Sequence, residues 1–508
     1  MPHKQSRFWF ALLTILLVAI PSARADDKEA SDSKEETAET ERLVETHHET
    51  TIDGKTIRYT ATVGKLLQKS DDLKSRAAMF FTAYTLDGAD PAERPITFCF
   101  NGGPGSSSVW LHLGMLGPLY VRMPDDASLL RPPYRLERNP HSLLDITDLI
   151  FIDPVSTGYS RPMDDVEKSE FHGYTEDVRS VGQFIHDYTT KFQRWPSAKF
   201  LCGESYGGIR AAGLSGHLRD RYNMELNGIV VVSGAINFQT LRFSTSNDLP
   251  NILFLPTYTA TAWYHKALPA DMQQRPLEEL VAESEEFALG EYASALMQGT
   301  ALSQEDFNAV AERLSRLTGL SAEFITASKL RVSMGRFGKE LLRDRELTVG
   351  RFDGRYTSMD RDSAGETYEF DASGAAIFGP FTATLNDYIR RGLKYEDERV
   401  YEILTGNVHP WNYSRFENRY VDASETLREA MTANPYLKLF AACGYYDLAT
   451  PHFAMEYTLN HLGLPEERQS NVTVRYYEGG HMMYIHGPSL QQLRADLVEF
   501  YGSAAPQD

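Results

Sequence analysis

The chain has 508 residues, 42% of them hydrophobic and 24% charged, with a formal net charge of −19. That length and apolar fraction suit a large globular core and exclude an intrinsically disordered chain. The acidic balance excludes non-specific binding of nucleic acid or of anionic membrane surfaces.

In chain order, the N-terminus reads as a secretory signal. Lys4 and Arg7 precede an apolar run from Phe8 to Ile20, and Ala23-Arg24-Ala25 offers small residues for a cut, giving residues 1–25 as the leader. The run is short for a bilayer span, so no stable membrane insertion is expected after cleavage, and the mature chain is expected to be exported, periplasmic or secreted. Cleavage removes three basic residues and no acid, taking the charge from −19 to −22. Residues 26–50 are dense in Asp, Glu, Lys, Ser and Thr and read as a disordered acidic leader. His47-His48 lacks further ligand residues nearby and is not read as a metal site.

From Thr51 the pattern turns to strands. Thr56 to Thr62 and Ala77 to Thr85 are rich in β-branched and aromatic residues. Short apolar runs then end in turns: Ile96 to Phe100, Leu149 to Ile152, Lys199 to Cys202 and Ile229 to Val232. Such runs fit strands buried on both faces of a parallel sheet. Val178, Val181, Ile185 and Tyr188 share one helix face, as do Leu490, Leu493, Leu497 and Tyr501. Strands alternating with helices predict an α/β fold with a central, mostly parallel sheet flanked by helices.

The rhythm breaks near residue 240. Residues 270–345 read as helices with charged faces, and Ser303 with Asp306 form a capping box. Strand-like runs return at Leu437 to Ala442 and Val472 to Tyr477. The expected organisation is therefore core 51–239, an inserted, mainly helical cap 240–395, and core 396–508. Cys99, Cys202 and Cys443 each end an apolar run, and buried free thiols are expected rather than a disulfide framework.

Gly203-Glu204-Ser205-Tyr206-Gly207 has the form G-x-S-x-G after an apolar strand and before a helical run. That turn lifts a serine hydroxyl out of the backbone and is the nucleophile elbow of an α/β-hydrolase. A serine needs a base and a group that orients the base, in the chain order Ser, acid, His. Asp447 and His481 each sit on a turn after a strand, Gly444-Tyr445-Tyr446 and Glu478-Gly479-Gly480 respectively, where open α/β sheets place their ligands. Asn101-Gly102-Gly103-Pro104-Gly105 is followed by Ser106 rather than the Gly-Lys-Ser/Thr of a phosphate loop. It reads as an oxyanion loop, with the Gly103 and Tyr206 amides as donors.

Together these segments resemble the serine carboxypeptidases, which carry an Asn-Gly-Gly-Pro-Gly loop, a Gly-Glu-Ser-Tyr-Gly-Gly elbow and a Gly-His-Met base turn. All three stand here, the last as Gly480-His481-Met482, and Asn139-Pro140 and Asp148 to Asp153 also look like family segments. The resemblance covers about residues 75–235 and 435–500. It implies release of single residues from peptide C-termini, with Asn101 and Glu204 binding the terminal carboxylate and without metal or organic cofactor. Two carboxylates repel unless one is protonated, so Glu204 should carry a proton when substrate binds. Three departures point to a divergent, bacterial-type branch. Met115 stands where many members carry a second Glu, Ser106 replaces a cysteine, and the Asp447 turn is atypical. The rival readings are an esterase or acyltransferase on the same triad, and an inactive binding protein on this scaffold.

Overall fold

The computed structural model describes residues 41–505. The expected signal segment and residues 26–40 of the leader lie outside the described residues.

Nine strands follow one another across a single sheet: β1 (Leu43–Ile52), β2 (Lys55–Lys69), β3 (Ser75–Leu86), β4 (Ile96–Phe100), β5 (Asp148–Ile152), β6 (Lys199–Glu204), β7 (Gly228–Val232), β8 (Lys438–Gly444) and β9 (Val472–Tyr477). Their spatial order is β1-β2-β3-β5-β4-β6-β7-β8-β9, with a two-residue strand, Arg161–Pro162, paired to β3 off this path. β1, β2, β3 and β5 pair antiparallel, and from β5 to β9 every pairing is parallel. The parallel strands are the apolar runs of the sequence. Every residue of β4, β5, β6 and β7 is buried, because helices cover both faces. Alternate side chains feed two cores: Cys99 and Cys202 face one, Phe98 and Phe100 the other. Cys99 and Cys202 are opposite each other in register, and all three cysteines are free and buried.

The leader boundary needs correction. Composition extends it to residue 50, yet Leu43–Ile52 is a full strand paired along its length to β2. The segment alternates half-buried and exposed residues along an edge, so its composition is polar although its periodicity is that of a strand. His47 and His48 lie within it, bonded to Thr60 and Thr46.

The flanking helices position the functional turns. α1 (Tyr174–Lys191) and α2 (Gly207–Tyr222) pack together on one face, and α8 (Gly487–Ala504) closes the other. Between β7 and β8 the chain leaves the sheet for helices that include α3 (Leu249–Tyr264), α4 (Leu277–Phe287), α5 (Gln304–Thr318) and α6 (Ala372–Asp387). The Ser303 hydroxyl caps α5 by accepting from the Asp306 amide at 3.1 Å. Residues of α3, α4 and α5 build a separate apolar core with Leu448, Phe453 and Ala454, which follow the Asp447 turn. Helix α7 (Ser424–Ala433) then packs on α2 before the chain re-enters the sheet.

Candidate active site

The site assembles at the C-terminal ends of β4, β6, β8 and β9. β6 ends at Glu204, and the backbone turns sharply so that α2 can begin at Gly207. Ser205 holds that turn with φ of +62°, a left-handed conformation that disfavours a side chain. Its amide bonds Val232 and its carbonyl accepts from Gly208 and Ala235, so the surrounding backbone fixes the strained residue.

The loop after β4 lies directly on this elbow. A Cβ on Gly102 would come within 2.4 Å of the Tyr206 nitrogen, so only glycine permits the approach. Arg210, buried on α2 and paired with Asp177 at 2.7 Å, also donates to the Asn101 carbonyl. The loop and the nucleophile are thereby tied to one helix. Gly103 and Tyr206 both line the cavity above Ser205. Among the described residues neither amide donates to a protein acceptor.

Asp447 and His481 meet on the adjacent turns. His481 Nδ1 donates to Asp447 Oδ2 at 2.9 Å, and both side chains are buried. Asp447 Oδ1 accepts from the Ala449 and Thr450 amides, and Oδ2 also receives the Thr450 hydroxyl at 2.8 Å. Thr450 stands 3.0 Å from His481 Nδ1 as well. With Nδ1 held on this side, Nε2 is the ring nitrogen left for Ser205, which lines the same cavity. Among the described residues the Ser205 hydroxyl makes no hydrogen bond, so the pair faces one space without closing on each other. Such contacts commonly tighten only once substrate is bound. Burial pushes the His481 pKa down, but the charge and hydrogen bond of Asp447 outweigh it and the net shift is upward.

The inserted region reaches into this turn. The His481 amide donates to the Phe352 carbonyl at 2.5 Å, and the Gly480 amide donates to Asp353 Oδ2 at 3.1 Å. A Cβ on Gly480 would meet the Phe352 oxygen at 2.4 Å, so the two backbones are in contact. Asp353 is itself held by Arg355, an ion pair with both side chains buried.

Glu204 and Asn101 also border the cavity, which encloses about 640 Å³. Asn101 is 1% exposed. Its Oδ1 accepts from the Leu111 amide, which fixes the amide orientation. Its Nδ2 is buried with no acceptor in hydrogen-bond geometry, although it lies near enough to Glu204 to favour the charged carboxylate. Burial dominates at Glu204, and despite His481, Tyr484 and Asn101 its pKa is pushed up to about 7. Tyr484 donates its phenol proton to Glu204 Oε2.

Trp110 and Tyr206 border the cavity, together with Phe238, Phe254 and Phe352. Tyr159 is a core residue, and Trp411 instead donates to the Tyr206 hydroxyl. Thr450, Asp353 and Tyr484 escaped the sequence reading. Thr450 lies only three residues after Asp447 and was open to notice as a turn hydroxyl; the other two carry no local signal.

The family model for serine carboxypeptidases matches residues 68–485. The lysosomal protective protein of Mus musculus is 30% identical over 181 residues, which are 35% of this chain and 33% of that protein. Carboxypeptidase Y of Schizosaccharomyces pombe is 33% identical over 121 residues, 23% of this chain and 11% of that one. The aligned part of the chain thus spans a third or less of these relatives. In structure, a prohormone-processing carboxypeptidase of Saccharomyces cerevisiae superimposes with a TM-score of 0.54 at 17% identity, covering 87% of this chain and 91% of that one. That likeness establishes the α/β-hydrolase fold expected from the nucleophile elbow and the alternation of strands and helices.

Proposed function

The chain belongs to the serine carboxypeptidase family, and from that premise we propose that it is a serine-type carboxypeptidase acting on peptides. In this reading Ser205 attacks the scissile carbonyl while His481 Nε2 takes its proton. Asp447 holds the imidazole and stabilises the imidazolium that forms. The Gly103 and Tyr206 amides receive the oxyanion, His481 returns the proton to the leaving amine, and water releases the acyl group. Asn101 and protonated Glu204 hold the terminal carboxylate. The N-terminal basic, apolar and small-residue pattern supports an exported enzyme, periplasmic or secreted, and among the described residues no helix is long and apolar enough to cross a membrane.

The observation that carries the reading is the pairing of an orphan donor with a poised acid. Asn101 Nδ2 is buried beside Glu204 with no acceptor in hydrogen-bond geometry, and burial pushes the Glu204 pKa up to about 7, in the cavity that Ser205 and His481 share. A buried unpaired donor is costly and asks for an acceptor. A carboxylate from substrate supplies it, and Glu204 can add a proton to the same ligand.

The test compares a blocked dipeptide with its C-terminal amide. Neutral His481 is required for both, so both rates rise with pH through its raised pKa. Only the acid needs protonated Glu204, so its kcat/KM should fall again above about pH 7. Glu204→Gln should remove that fall. Equal rates and equal profiles for acid and amide would refute carboxylate recognition and favour a general esterase or acyltransferase.

A further inference from the structure

Tyr484 follows the base turn on a short helical turn, Met483–Ile485, and is 1% exposed. Its ring rests against Gly114, where a Cβ would fall 2.5 Å from Cε2, so the ring is held by backbone on that side. Among the described residues its hydroxyl has one hydrogen-bond partner, Glu204 Oε2. Met115, next to Gly114, offers no acid to this space, and its carbonyl is taken by Asn139 Nδ2.

Resting on the reading that Glu204 and Asn101 grip a terminal carboxylate, we propose that Tyr484 is a positioning residue that directs the Glu204 proton toward the substrate. A protonated carboxyl has one O–H and two places to put it. A proton on Oε2 would point at Tyr484 and leave the phenol O–H buried without an acceptor. With the phenol donating to Oε2, the acid proton sits on Oε1 and is free to donate to a ligand. Substrate carboxylate then accepts from Oε1–H and from Asn101 Nδ2. The other groups around Glu204 are His481 on the β9 turn and Asp447 on the β8 turn, with Cys202 of β6 near the Tyr484 phenol. The cation of His481 favours ionised Glu204 and the Asp447 charge opposes it, while neither donates a proton to its carboxyl oxygens.

The experiment measures kcat and KM for the peptide acid and its amide between pH 5 and 9. It uses Tyr484→Phe, Glu204→Gln, the double variant, and a protein with 3-fluorotyrosine at 484. Tyr484→Phe should lower the acid-to-amide ratio of kcat/KM about tenfold, mainly through the KM for the acid. It should also move the alkaline fall of the acid profile to higher pH, because a hydrogen bond that favoured ionised Glu204 is gone. The more acidic fluorotyrosine donates more strongly and should move that fall to lower pH. In the Glu204→Gln background neither change should shift the profile further. Unequal rates for acid and amide in the wild type, with a ratio and profile untouched by Tyr484→Phe or fluorotyrosine, would overturn the role of Tyr484 alone. A drop shared equally by acid and amide would mark Tyr484 as structural only. Equal handling of acid and amide by the wild type would remove the reading beneath it.

Discussion

Asp353→Ala tests whether the inserted region positions the catalytic base. In the structure this carboxylate accepts from the Gly480 amide at 3.1 Å and from the Arg355 side chain at 2.7 Å. The two side chains are 4% and 3% exposed, so the variant leaves a guanidinium buried without its counter-charge. Breaking a buried pair on one side costs about 3–5 kcal/mol, and the orphaned Gly480 amide adds about 1 kcal/mol or more. A loss of about 4–6 kcal/mol is a large share of the 5–15 kcal/mol typical of folded domains. Equilibrium urea unfolding reads it directly. The base turn also loses one of its two hydrogen bonds to the inserted segment, with that to the Phe352 carbonyl remaining, so kcat should fall about tenfold or more under conditions where the variant is folded. Asp353→Leu with Arg355→Met separates the effects: it removes the unpaired charge and should recover much of the stability while kcat stays low. A folded Asp353→Ala protein with wild-type stability and wild-type kcat would show that Asp353 neither stabilises the fold nor positions the base turn.

Glu204→Gln should gain stability relative to wild type as pH rises. A carboxyl whose folded pKa is raised from 4.5 to about 7 contributes stability that is fully present below its unfolded pKa and is lost as pH rises through about 7, a loss on the order of a few kcal/mol in all. Urea unfolding at pH 5 and pH 8 should show the difference between variant and wild type growing at the higher pH; a pH-independent difference would contradict it. Ser205→Gly should be more stable than Ser205→Ala by about 1 kcal/mol, since φ of +62° strains alanine and not glycine, with both inactive. Equal melting temperatures would argue against strain at the elbow. Thr450→Val removes the hydroxyl that bonds Asp447 Oδ2 and the Ser233 carbonyl. It should cost about 1–2 kcal/mol and lower kcat about tenfold, read by unfolding and by turnover of an ester substrate. Unchanged turnover would assign Thr450 to the turn alone.

The central parallel strands were legible because burial on both faces writes an uninterrupted apolar run: β4 begins and ends where the pattern does, and β5 and β7 start one residue before it. The elbow and the Gly-rich loop were legible because crowding admits few residue types, as Gly102 against Tyr206 illustrates. β1 was missed because an edge strand with exposed alternate residues has the composition of a disordered leader. Asp353 left no trace because its contact with Gly480 spans 127 residues and joins an inserted segment to a core turn. Tyr484 stood three residues beyond a recognised base, but a tyrosine in an apolar stretch reads as core, and its partner Glu204 lies 280 residues away. Local pattern announces the chemistry of a turn; which distant side chain holds that turn is decided by packing.

In the proposed mechanism Ser205 is a nucleophile activated by His481. Labelling with a fluorophosphonate, followed by mass spectrometry of the digested protein, tests it most directly. A single adduct is expected on Ser205 in the wild type, forming at least a hundredfold more slowly in folded His481→Ala, in line with the contribution of a general base. An adduct on another residue, no adduct on folded wild type, or equal labelling of the His481→Ala protein would contradict it.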